Sequence, residues 1–167
     1  MNEQIFSSMA QVLGEQALLY EGLLELSRKK QRVLVQGGIE EFETILEGEQ
    51  AILWKAGKLE ERRTSLQLQL AGELHLSGED LTMSRLIESL GDPYAAKFKL
   101  LQTGLLSILG ELRRLNELNT TLIKKSLEYV NAAMDVLTRA GAAATTYSPD
   151  GRLQAGKREN RVLNHKM

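Results

Sequence analysis

The chain has 167 residues, enough for one domain with a single core and too few for two large ones. It has no cysteine and two histidines, which excludes disulfides, thiolate nucleophiles, iron–sulfur clusters, Cys-ligated zinc and a histidine-rich metal site. A net charge of −1 gives no global pull toward nucleic acid or an anionic membrane.

Leucine is the most abundant residue, aromatics make up 5% and there are two prolines. Leu, Ala, Glu, Lys, Gln and Arg dominate, and these are the strong helix formers. An all-α protein is expected. No apolar run approaches the ~20 residues of a membrane-spanning helix. Met1, Asn2, Glu3 and Gln4 carry no basic region of a secretory signal. The expected location is cytoplasmic, with no stable membrane insertion.

The first helix is predicted over residues 2–36. Ile5, Val12, Leu19, Leu26 and Val33 form one row, and Phe6, Leu13, Tyr20 and Leu34 a second. Rows at this spacing make the apolar stripe of a bundle helix. Arg28, Lys29, Lys30 and Arg32 are read as partners of the helix dipole's negative end. Gly37 and Gly38 then turn the chain.

The second helix is predicted over residues 39–71. Its rows are Ile45, Ile52, Leu59 and Leu66, and Phe42, Ala56 and Leu70, with Leu46 and Leu53 alongside. Glu40, Glu41 and Glu43 suit its N-terminal dipole end. Glu49 and Arg63 interrupt the seam. Trp54 falls beside a core row, in a core or edge position.

A short connector helix is predicted over residues 82–90, with Thr82 as N-cap and Leu86, Ile87 and Leu90 as its apolar side. Asp92 can cap the next helix, and Pro93 fits a first helical position. That third long helix is predicted over residues 93–144. One row is Leu101, Ile108, Leu115, Leu122, Tyr129 and Val136. The other is Phe98, Leu105, Leu112, Asn119, Ser126, Ala133 and Ala140. Asn119 and Ser126 put polar groups in the seam, where an Asn sets register at some cost in stability.

The predicted architecture is an elongated antiparallel coiled-coil-like bundle of three long helices and one short connector helix, spanning residues 1–144. Residues 145–167 read as a basic flexible C-terminal tail. At 1.5 Å per residue the first two helices are about 50 Å long and the last roughly 75 Å. The last helix should therefore outrun the hairpin after about Leu127. Tyr129, Val130, Met134, Val136 and Leu137 lie in that overhang. An apolar stripe without an intramolecular partner calls for a second copy or a partner helix.

The motifs that could carry catalysis are weak. Gly151, Gly156 and Lys157 have P-loop spacing, but Arg158 replaces the Ser or Thr that binds magnesium, and no strand precedes them. No Glu-x-x-His pair of a di-iron bundle occurs. His75, in the connector, reads as solvent-facing or capping. The acidic run from Glu40 to Glu49 reads as a solvated helix face. Tyr147, ahead of Ser148, Pro149, Asp150 and Gly151, is either incidental or a docking anchor. No enzyme activity and no cofactor or metal is expected.

The segment from Leu112 to Val130 combines paired Asn116 and Asn119 with Leu122-Ile123, Ser126-Leu127 and Tyr129-Val130. With the Tyr147 to Gly151 motif, in which Ser148 stands for a usual Gly, it resembles the FlgN family of flagellar export chaperones. The resemblance covers most of the chain. It implies a cytoplasmic, helical type III export chaperone that binds the C-terminal helical segment of hook-associated (hook–filament junction) proteins. It implies delivery to the export-gate cytoplasmic domain and the export ATPase complex, with Tyr147 in gate docking. Resemblance and overhang together place client binding on Asn119, Leu122, Ser126, Tyr129, Val130, Ala133, Met134 and Leu137. The competing reading is a self-assembling structural coiled coil without a client, a homodimer or a tetramer. Nucleic acid is not an expected partner.

Overall fold

Gly37 makes the first tight turn. Its φ of 83° lies in the left-handed region that a side chain disfavours. Its N–H closes on the Val33 carbonyl at 2.8 Å, and the Phe42 N–H bonds the Gly38 carbonyl at 3.0 Å. One helix ends there and the next begins, as the Gly37-Gly38 pair predicts.

A computed structural model describes residues 3–74 and 81–143, and the side chains up to residue 139. The helices are α1 (Glu3–Gln36), α2 (Ile39–Glu73), α3 (Met83–Ser89) and α4 (Tyr94–Ala143). No strand occurs among the described residues. The all-α class and the order of three long helices and one short one match the sequence reading. Boundaries shift slightly. The second helix runs two residues further than predicted. The last begins at Tyr94 rather than Pro93, because the Pro93 carbonyl takes the cap role and accepts from the Lys97 N–H at 3.3 Å. Thr82 caps α3 as predicted, its side chain accepting from the Arg85 N–H at 3.2 Å.

Two compact units make up the chain, Met1–Ile123 and Lys124–Met167. In the first, α1 and α2 run antiparallel. Gln16 meets Glu60, and Lys30 meets Glu49. Gly48 lets the hairpin close tightly: a Cβ there would lie 3.1 Å from Leu26 Cδ1. The α4 portion of this unit runs parallel to α1. Phe6 stacks against Tyr94 with ring centroids 5.9 Å apart, and Asn119 bonds to Ser27.

The main core gathers Phe6, Met9 and Leu13 of α1, Leu70 of α2, Leu86 of α3 and Phe98 of α4. Fully burying one such side chain contributes roughly 1.5–3 kcal/mol. A smaller cluster of Leu24, Leu112 and Leu115 lies further along. Around it the burial turns polar, with Ser27, Glu49 and Asn119.

The predicted interruptions of the seam are paired. Glu49 meets Lys30 at 2.6 Å, both side chains 11% exposed. Arg63 grips Glu60 with two bonds, 2.8 and 2.6 Å. Gln16 of α1 adds a third bond to Glu60 at 3.0 Å. Arg63 also donates to Gln67 at 2.8 Å, and Gln67 donates to the Leu81 carbonyl at 3.0 Å. This chain of bonds ties α1 through α2 to Leu81, just ahead of the Thr82 cap of α3.

Three expectations change. The α1 cations do not serve its C-terminus, whose last turn holds no base. Arg28 and Lys30 instead pair with Glu111 and Glu49. Leu46 and Leu53 are exposed. Leu46 lies one residue, about 100°, round the helix from buried Ile45, and Leu53 as far from half-buried Ile52. Trp54, expected in a core or edge position, is 69% exposed. His75 lies outside the described residues.

Candidate functional site

The candidate residues on α4 divide by burial. Asn119 is 2% exposed and donates from Nδ2 to the Ser27 carbonyl at 3.0 Å. Its Oδ1 and the Ser27 Oγ are buried without a partner. Asn119 therefore works inside the first unit, setting how α1 and α4 meet, as the seam reading predicted. It is not on an accessible surface, and the candidate binding set loses it for that reason. Leu122 is half-buried.

In the second unit the pattern reverses. Ser126, Tyr129, Val130, Ala133, Met134 and Leu137 are all exposed. Tyr129 reaches 77% and Leu137 67%. They occupy an arc of roughly 140° on a helix turning 100° per residue. Leu127 and Val136 flank that arc and are exposed as well. Small Ser126 and Ala133 sit among larger apolar groups, leaving hollows into which knobs of another helix can fit. The Thr138 hydroxyl is turned back onto the Met134 carbonyl at 2.6 Å, so it offers no donor across the face.

This face has little electrostatic bias. Lys124, Lys125, Glu128, Asp135 and Arg139 share the same stretch, both signs interspersed. What it offers a partner is apolar area at helical spacing, the hallmark of helix-in-groove recognition. Tyr147 lies outside the described residues.

The titrating groups that shift are elsewhere, in the α1–α2 hairpin. The Glu60 carboxyl is held low, first by the Arg63 hydrogen bonds, against burial, with the Gln16 bond helping. Arg63 is raised mainly by the same bonds. The Tyr20 hydroxyl is pushed up by burial first and by Glu60 second. These groups form a structural network rather than a nucleophile with its base. Among the described residues no group of three or more acids or histidines is placed to hold a metal ion. No helix there is long and apolar enough to cross a membrane.

Sequence reasoning missed one surface. Leu18 of α1 is 69% exposed beside the equally exposed Trp54 of α2. The available signal was that Leu18 belongs to none of the apolar rows of its helix.

Fold and face together describe an all-α protein with an exposed apolar helix face. A family model, FlgN protein, matches residues 1–155. The chain belongs to the FlgN family, the flagellar export chaperones. The uncharacterized protein YvyG of Bacillus subtilis (strain 168) is 28% identical over 120 residues, covering 72% of each chain. No solved structure matches.

Proposed function

We propose that this FlgN-family protein is a cytoplasmic chaperone for hook-associated, hook–filament junction proteins. It holds the C-terminal helical segment of an unassembled subunit against the α4 face from Leu122 to Leu137. It thereby prevents premature self-association and delivers the subunit to the flagellar type III export apparatus. Tyr147 engages the cytoplasmic domain of the export gate, and the export ATPase complex receives the loaded chaperone.

The observation that carries this reading is the run of exposed apolar side chains on α4. Tyr129, Val130, Met134, Val136 and Leu137 are each about half exposed or more. Leaving that much apolar surface bare on a helix invites association. An amphipathic client helix covers it with its own apolar stripe, and both gain burial. Ordering of the client offsets part of that gain and keeps the complex releasable.

The test is calorimetric titration of the full chain with C-terminal fragments of junction proteins. Saturable binding with a negative heat-capacity change is expected. The variant Val130→Ser/Met134→Ser/Leu137→Ser should lose at least tenfold in affinity while keeping its helicity. Tyr147→Ala should leave client affinity unchanged and weaken binding of the gate domain. No heat with any fragment, together with a stable oligomer on sizing, would replace this reading by the self-assembling coiled coil.

A further inference from the structure

The α1–α2 hairpin carries an apolar surface that client binding on α4 does not use. Leu18 and Leu19 of α1 face Trp54 and Leu59 of α2 across an open groove of about 550 Å³. Three cations of α2 line it, on the helix surface between Trp54 and Leu59. Lys55, Lys58 and Arg62 recur along one side of α2, and Glu15 stands on the α1 side. Glu15 already accepts from Gln11 at 2.8 Å. Lys58 keeps only a long, exposed pair with Glu61 at 3.2 Å, of the kind that contributes little. Lys55 and Arg62 form no ion pair among the described residues.

We infer that this groove docks an acidic amphipathic helix of a partner protein. Leu18, Leu19, Trp54 and Leu59 take the partner's apolar stripe, and Lys55, Lys58 and Arg62 take its carboxylates. Tryptophan and arginine are the side chains most often found at the energetic centre of interfaces, and both are presented here unoccupied by the protein's own chain. From residue 54 to residue 62 the groove extends roughly 12 Å, or two to three helical turns of contact. A second copy meeting this face symmetrically would set the three cations against themselves, which disfavours it. The C-terminal segment of this chain carries five Lys/Arg against two acids, so its charge is wrong for these cations. An anionic lipid surface could meet the cations, but a flat surface leaves the groove between two helices unfilled.

The experiment uses the full chain and its only tryptophan as the reporter. The probe is a synthetic 18-residue helix with Leu at i, i+3, i+4 and i+7 spacing and Glu beside the stripe. A twin carries Lys at each Glu. Vesicles of phosphatidylserine form a third arm. A saturable blue shift of Trp54 emission is expected with the Glu peptide, with at least tenfold weaker binding of the Lys twin and weakening by salt. The variant Lys55→Glu/Lys58→Glu/Arg62→Glu, its helicity checked by circular dichroism, should reverse the preference. The Val130→Ser/Met134→Ser/Leu137→Ser variant should bind the Glu peptide as the parent does, so failure here and failure on α4 are distinguishable. No shift, an equal response to both peptides, a response to vesicles alone, or loss of the response in the α4 variant would overturn the inference.

Discussion

The two ends of the first unit are built on different chemistry. Near α3, Phe6, Leu70, Leu86 and Phe98 are each 2% exposed or less and pack as an apolar core drawn from all four helices. Toward the Gly37 turn the buried set is Leu24, Leu112 and Leu115, and around it Ser27, Asn119 and the Lys30–Glu49 pair. The first end supplies free energy by removing apolar area from water. The second gains little net energy, since buried polar groups and ion pairs roughly repay their own desolvation. Its contribution is specificity: Asn119 has one bonding partner on α1, and Lys30 has one on α2. A chaperone helix whose outer face is apolar needs such a device, because apolar rows alone permit sliding and self-pairing.

Substitutions at the two ends should separate these roles. Phe98→Ala is expected to have the largest effect, a loss of about 3–5 kcal/mol in denaturant unfolding. A loss under 1 kcal/mol would show that the α3 end is not the stabilising one. Lys30→Met leaves the Glu49 carboxylate buried without its cation and should cost about 3 kcal/mol. Adding Glu49→Leu should recover most of it, since a well-packed apolar pair often equals a buried ion pair. If the double variant is as unstable as the single, the pair stabilises the fold outright and the contrast between the ends fails.

Asn119→Ala should cost only about 1 kcal/mol, the usual net value of one hydrogen bond. Its signature should instead be broadened or doubled amide resonances around Ser27, reporting loss of a single register. A sharp, unchanged spectrum would remove Asn119 from that role. The smallest effect concerns pH. Glu60 has its pKa lowered by Arg63, so its contribution is present above its unfolded value and is lost as pH falls through the folded one. Stability of the parent relative to Glu60→Gln should shrink on acidification below about pH 4. A difference that grows in acid would contradict the sign.

Much of this was legible in the chain. Gly37-Gly38 announced the turn because few residues tolerate positive φ. Thr82 announced a cap because its hydroxyl competes for the first free N–H groups. The row Phe98, Leu112 and Asn119 was readable and is buried. Leu46, Leu53 and Trp54 were not placed correctly, because a seven-residue row drifts about 20° per heptad from a straight helix and the partner's position decides which side is covered. Pairing across helices, such as Lys30 with Glu49, depends on register between distant segments, and local pattern does not contain it. On α4 the row itself was legible. That Asn119 is enclosed while Ser126 and Ala133 are open depends on which neighbours reach each position, and sequence spacing is silent on that.

The most direct test of the central claim is hydrogen exchange along α4, with and without a C-terminal fragment of a junction protein. Slowed exchange is expected between residues 122 and 139, with the Phe98 region unchanged. Protection that appears elsewhere and leaves residues 122–139 as they were would contradict it.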